Sequence, residues 1–134
     1  MILVDNTQVL MSSIFAQHRD VAAIDEDLVR HMVLNTYRIY RKKFFREYGE
    51  LVICEDSGSS WRRQFFSHYK GKRRQDRKEN EAQWTRFYEI MNKIRDEVAV
   101  HMPYRNLAVQ GCEADDLIAY LVKRFAPTEK MLVL

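Results

Sequence analysis

Cysteine is scarce in this chain of 134 residues: Cys54 and Cys112 are its two. That excludes a disulfide framework and makes a reducing compartment, the cytoplasm, the expectation. Neither cysteine stands at zinc-ligand spacing from His18, His31, His68 or His101, so a structural zinc site has no support. With four glycines there is no glycine-rich phosphate loop and no match to the Walker pattern. No apolar run approaches the roughly 18 residues of a membrane span. Residues 1–5, Met-Ile-Leu-Val-Asp, lack the basic start and cleavage site of a signal peptide. Nucleophilic triads, internal repeats, low-complexity tracts and interdomain linkers are absent too. What remains is one domain, or one domain lacking an end.

The chain does contain enough apolar material for a core: 46% hydrophobic residues, with seven Phe, seven Tyr and two Trp. Its net charge is only +3, but the charge is unevenly spread. Residues 61–78 carry eight Lys and Arg against Asp76, a net +7, which leaves −4 for the rest of the chain. An acidic body with one strongly basic segment suits a polyanion held beside carboxylates.

Short apolar runs alternate with long amphipathic segments. Residues 1–4 read as a buried strand with Asp5 at its carboxyl end, followed by a short helix over 9–18 capped by Asn6 or Thr7. Asp25, Glu26 and Asp27 open a long helix whose stripe is Val29, Val33, Tyr37, Tyr40, Phe44 and Tyr48. Gly49 stands where such a helix stops. A second strand over 51–54 ends at Glu55 and Asp56. Helical structure over 61–68 leads into 70–80, which has no apolar residue but Gly71 and is expected to be exposed. Trp84, Phe87, Tyr88, Met91, Ile94 and Val98 mark the next helix, closed by Pro103. A weak strand over 106–109 precedes Gly111 and the acids Glu113, Asp115 and Asp116, which open a helix stopped by Pro127. Residues 131–134 read as a fourth strand. This alternation predicts an α/β fold with a parallel sheet, and Asp5 and Asp56 then lie beyond its carboxyl ends, where such sheets bind ligands.

Three carboxylate sources therefore converge on one end of the sheet: Asp5, Asp56, and the group of Glu113, Asp115 and Asp116. Oxygen donors of this kind suit Mg²⁺ or Mn²⁺, and such ions serve hydrolysis of phosphodiesters. In the basic segment, Arg62, Arg63, Lys70, Lys72, Arg73 and Arg74 can neutralise phosphates without reading sequence. Trp61, Phe65, Phe66 and Tyr69 offer faces for unpaired bases, although core packing is the expectation for Phe65 and Phe66.

Tyr69-Lys70-Gly71-Lys72-Arg73 resembles the Tyr-Lys-x-x-Arg signature of the 5′ nucleases, the flap endonucleases and 5′–3′ exonucleases. Glu113-Ala114-Asp115-Asp116, followed by Leu117-Ile118-Ala119, resembles their central acid motif, and Asp5 and Asp56 stand in that family's order. The likeness is greatest to the RNase H of T-even-type bacteriophages. It extends over Val29-Arg30-His31, Trp61-Arg62-Arg63 and His101-Met102-Pro103-Tyr104, and so covers nearly the whole chain. The resemblance implies a PIN-like 5′-nuclease core with flanking helices and a basic helical arch at about 61–80, its threading part at 69–80. It implies removal of RNA primers and adjacent DNA in replication, acting on branched or 5′-flap DNA and RNA/DNA hybrids. It gives Asp5, Asp56, Glu113, Asp115 and Asp116 a metal role, with Mg²⁺ or Mn²⁺ as two ions in the complete enzyme. Catalytic roles fall to Asp5, Asp56, Glu113, Asp115 and Lys70, with Lys70 at the scissile phosphate and Arg73 one turn on. Arg62, Arg63, Tyr69, Lys72 and Arg74 would hold nucleic acid. The family's second acid group, Asp-x-Asp, would follow residue 134. Residues 1–134 are thus expected to be the N-terminal part of the catalytic domain: an engineered fragment, a truncated gene product, or one half of a split gene that works with a C-terminal half chain, and, if phage-encoded, in the host cytoplasm. The alternatives are a non-catalytic fragment binding branched or single-stranded DNA, and a compact PIN-like ribonuclease.

Overall fold

A computed structural model describes residues 1–17, 23–72, 75, 77 and 81–134. Strand β1 (Ile2–Asp5) runs directly into helix α1 (Asn6–Gln17), and helix α2 (Glu26–Tyr48) leads to strand β2 (Leu51–Cys54). The one-turn helix α3 (Arg62–Phe65) precedes the long helix α4 (Glu81–His101). Strand β3 (Arg105–Leu107), helix α5 (Ala114–Phe125) and strand β4 (Leu132–Val133) complete the order. The four strands form one parallel sheet in the order β3-β2-β1-β4. Register pairs Asp5 with Cys54 and Cys54 with Leu107, so three strands end level with one another.

Alternation along the strands explains how the two faces are covered. Ile2, Val4, Leu51 and Ile53 point to one face, and α1, α2 and α4 bury Val9, Leu10, Ile14, Val29, Val33, Tyr37, Phe87, Ile90 and Ile94 against them. Val52 and Cys54 point to the other face, where among the described residues α5 supplies the helical cover through buried Ala114 and Leu117 and partly buried Ile118 and Leu121. The expected stripe of α2 is observed: Val29, Val33 and Tyr37 are fully buried, and Tyr40, Phe44 and Tyr48 pack partly against the same core.

Asp25 caps α2, accepting from the N–H groups of Asp27 and Leu28 at 2.9 and 3.2 Å. Gly49 closes it at a φ of 83°, a conformation that favours glycine. Three boundaries differ from expectation. Helix α1 starts at Asn6, and its N-terminal acceptor is the Asp5 carboxylate rather than Asn6 or Thr7, because the turn begins directly at the strand end. Strand β3 begins and ends earlier than 106–109, since its ladder is set by pairing with Val52 to Cys54. Helical structure in 61–68 shrinks to one turn with no buried residue. No helix among the described residues is long and apolar enough to cross a membrane.

Candidate metal and nucleic-acid site

At the carboxyl end of the sheet, side chains from four segments are tied together by hydrogen bonds. Asp5 finishes β1 and accepts from the Gln8 N–H at 3.2 Å. Asp56 follows β2, and its two oxygens join different elements: one accepts from the Thr7 hydroxyl at 2.9 Å, the other from the Ala114 N–H at 2.8 Å. The second bond meets the N-terminus of α5, where unsatisfied N–H groups and the helix dipole favour an anion. The loops behind these acids are laced to each other. Ser57 N–H donates to the Cys112 carbonyl, Trp61 N–H to the Gly111 carbonyl, and Gly111 N–H to Ser57 Oγ. Gly111, at a φ of 83°, makes the reversal that brings Glu113 back over β2.

Burial raises the Asp5 carboxyl above its usual range; the Gln8 N–H opposes this, and the nearby charges of Asp56 and Asp115 add to it. Of the five expected metal-binding acids, Asp5 therefore stands near enough to Asp56 and Asp115 to feel both charges. Glu113 and Asp116 are differently placed. They close a capping box at the start of α5, with Glu113 N–H donating to Asp116 Oδ2 at 3.0 Å. Arg62 grips Asp116 with both terminal nitrogens, at 2.6 and 2.8 Å, and Trp61 Nε1 donates to it at 3.2 Å. The Arg62 guanidinium holds the Asp116 carboxyl below the usual range. Asp116 is thus a brace for Arg62, and Arg62 is committed to acids rather than open to phosphate.

Glu113 accepts from Lys70 Nζ at 2.8 Å, from the Tyr69 hydroxyl at 2.7 Å and from Arg62 at 3.2 Å. Burial alone would raise its carboxyl, but Lys70, Tyr69 and Arg62 outweigh it and hold the pKa low. Lys70 is the one non-glycine residue with positive φ among the described residues, at 55°. That left-handed turn is a cost for a lysine, and it aims the ammonium at Glu113.

Among the described residues no three His, Cys, Asp or Glu side chains are already gathered closely enough to ligate one ion. The donor chemistry nevertheless fits a hard cation. All the donors are carboxylate oxygens, and a divalent ion would offset both the burial that chiefly raises Asp5 and the neighbouring charges that add to it. Asp5, Asp56 and Asp115 could hold it, and Glu113 could join once Lys70 releases it.

Beside the acids lies a cleft of about 980 Å³. One wall is the loop from Glu55 to Ser60 with Arg63 and Lys70, and the other is α4, presenting Trp84, Tyr88, Asn92 and Arg95. Arg63 and Lys70 thus reach a common space with Asp56 and Glu113, while Lys72 is exposed. Arg73 and Arg74 lie outside the described residues. Phe65 and Phe66 are 82% and 57% exposed, against the expected core packing, because their single-turn helix buries nothing. Arg77 departs from expectation the other way. In a segment without apolar residues it still packs, its guanidinium lying over the rings of Trp84 and Tyr88 at 5.1 and 5.3 Å. Burial raises the Tyr88 phenol, Arg77 opposes that, and Asp56 adds to it, so Tyr88 sits within electrostatic reach of the acids.

Sequence reasoning missed Glu55. It is only 6% exposed, and its carboxylate accepts from Asn6 Nδ2 at 2.6 Å while the Asn6 carbonyl accepts from the Tyr37 hydroxyl. Burial raises the Glu55 pKa, with Asn6 and Arg95 opposing and Asp56 and Asp5 adding. The available signal was its position, since the first residue after a buried four-residue strand is still held by the ladder: Glu55 N–H donates to the Leu107 carbonyl at 2.9 Å.

Comparison with known proteins follows the same outline. The family described as 5′-3′ exonuclease, N-terminal resolvase-like domain, matches residues 1–134. The chain is 35% identical over 127 residues to the ribonuclease H of Enterobacteria phage T4, covering 92% of this chain and 42% of that protein. The solved structure of T5 5′-exonuclease with bound divalent metal ions (zinc) superposes with a TM-score of 0.75 at 17% identity, covering 99% of this chain and 47% of that one. The chain spans less than half the length of both relatives.

Proposed function

Because this chain belongs to the 5′-3′ exonuclease family through its N-terminal resolvase-like domain, we propose that it is the acid-bearing part of a metal-dependent 5′ nuclease. Its substrates would be branched or 5′-flap DNA and RNA/DNA hybrids, with removal of RNA primers and adjacent DNA in replication as its task. The observation that carries this reading is a cleft whose lining brings Asp56 and Glu113 together with Arg63, Lys70 and Arg95, with Asp5 near enough to Asp56 and Asp115 to feel their charges. Support also comes from the two phage relatives.

In this reading Asp5, Asp56 and Asp115 would hold Mg²⁺ or Mn²⁺, and a bound ion would supply an activated water and offset charge on the phosphoryl oxygens. Lys70 gives up Glu113 to take a phosphate oxygen, exchanging one charge-assisted hydrogen bond for another. Arg63 and Arg95 neutralise neighbouring phosphates in the cleft. Thr7 and the Ala114 N–H orient Asp56 through its two oxygens. Asp116 and Arg62 fix the start of α5, and so the position of Asp115. A second ion and further acids would come from a C-terminal half like that of the longer relatives.

The test is cleavage of a labelled 5′-flap substrate with Mg²⁺, with and without the C-terminal half of a relative such as the T4 ribonuclease H. Cleavage that disappears in Asp56→Asn while substrate binding persists is the expected result. No cleavage under either condition would overturn the reading. One observation favours a second reading, a nucleic-acid-binding fragment without catalysis: no three ligating side chains are gathered among the described residues. It predicts salt-sensitive binding with no product even when the other half is present.

A further inference from the structure

We infer that Trp84 and Tyr88, with Arg77 over them, form a stacking seat for an unpaired nucleobase on the wall of the cleft opposite the acids. The inference rests on the cleft being the path of a nucleic acid. It adds where a base is held, and by what.

The two rings are four residues apart on α4 and so share one edge of the helix. Their centroids are 6.0 Å apart with planes 33° from parallel, close to one continuous aromatic surface. Behind them Phe87, 2% exposed, anchors both: its ring lies 5.2 Å from Trp84 and 5.9 Å from Tyr88. The platform therefore cannot turn inward. The group lying over both rings is a guanidinium, that of Arg77. A guanidinium is flat, cationic and held there by weak cation–π attraction, so a base can displace it at small cost. Once displaced, Arg77 is free to pair with the phosphate of the same nucleotide.

The surroundings match that occupant. Along the same edge of α4, Asn92 and Arg95 continue toward the acid end of the cleft, and Arg63 and Lys70 face them. Cations lining a cleft beside a base-sized aromatic face form the pattern by which single strands are held without regard to sequence. Tyr88, which feels the Asp56 charge, links the seat to the acids. The seat and Asp56 line one cleft, so the strand whose base is seated runs past the acids.

Trp84 is one of two tryptophans, so Trp61→Phe leaves it as the sole reporter. In EDTA, an oligothymidylate of about 12 nucleotides is expected to quench Trp84 emission strongly on binding. An abasic oligomer of equal length, followed by anisotropy, binds without quenching. Tyr88→Leu, which keeps the contact with Phe87, weakens oligothymidylate binding roughly five- to a hundredfold. Arg77→Gln keeps the quench but lowers the slope of log affinity against log salt by about 0.7, one phosphate contact. Binding without quenching, equal quenching by the abasic oligomer, or no binding of the single strand would each overturn the seat. Flap cleavage by the parent chain with Mg²⁺ and the C-terminal half of the T4 relative separates the two readings. Cleavage without quenching removes the seat alone, and quenching without cleavage removes the nuclease reading alone.

Discussion

Lys70 shows in one residue how a site is built against local preference. Its left-handed backbone costs about 1–2 kcal/mol in a residue with a Cβ, and the return is an ammonium on Glu113. Comparing two substitutions isolates the backbone part. Lys70→Ala and Lys70→Gly both lose the ion pair, but only glycine is at ease at this φ, so Lys70→Gly is expected to be more stable than Lys70→Ala by about 1 kcal/mol. Denaturant unfolding measures it, and equal midpoints would mean that the turn relaxes. Glu55 makes a second case. Its pKa is raised from an ordinary 4.5, so the folded state binds its proton more tightly than the unfolded state does. The Glu55 contribution to stability is therefore full below about 4.5 and is lost as pH rises through the raised folded value. Glu55→Gln keeps an oxygen for Asn6 and removes the charge. Its stability relative to the parent should rise with pH above 4.5 and level off, and a flat difference would remove the buried-charge account. The role of Glu55 was hidden in the sequence because Asp56 stands beside it, and strand alternation cannot say which of two adjacent acids the loop will turn inward.

Among the elements, α5 is the thin part of the fold. It buries only Ala114 and Leu117, whereas α2 and α4 sink long stripes into the other face of the sheet. Leu117→Ala is expected to cost about 2–4 kcal/mol. Hydrogen exchange should find α5 opening at lower free energy than α2 in the parent, and much faster in the variant. Equal protection of the two helices would contradict this. These elements were legible because burial imposes a period: Val29, Val33 and Tyr37 can share a core only on a helix, and four-residue apolar runs between long helices can be buried only as central strands. The ends of strands were legible too, which is why Asp5 and Asp56 were located. The one-turn α3 was not, because Phe65 and Phe66 resemble core residues by type and are exposed by geometry. Nor was the bond of Arg62 to Asp116, residues 54 apart in sequence, since charge type does not say which cation will meet which acid.

Taken whole, the molecule sets two kinds of carboxylate against each other, and their pH dependences have opposite sign. Glu26 and Glu97 are held below their ordinary range, Glu26 by Lys93 and Arg30 and Glu97 by Arg30. Their contribution is present above about 4.5 and is lost as pH falls through their depressed folded values. Asp5 and Glu55 do the reverse, being raised by burial and by neighbouring acids. Without metal, stability should therefore peak in the mildly acidic range and decline toward neutrality, where the sheet-end acids are all charged. A divalent cation that binds only the folded chain reverses that decline, adding about 2.7 kcal/mol when its concentration is 100 times its dissociation constant. The expected result is a melting temperature that Mg²⁺ or Mn²⁺ raises at pH 7.5 and that EDTA returns to the starting value. Asp56→Asn, with one charge fewer at the sheet end, should respond less to the ion than the parent does. If the ion were absorbed by surface carboxylates such as Asp27 or Glu47, the shift would survive Asp56→Asn unchanged. That outcome would detach the acids of the sheet end from any metal, whatever the chain cuts.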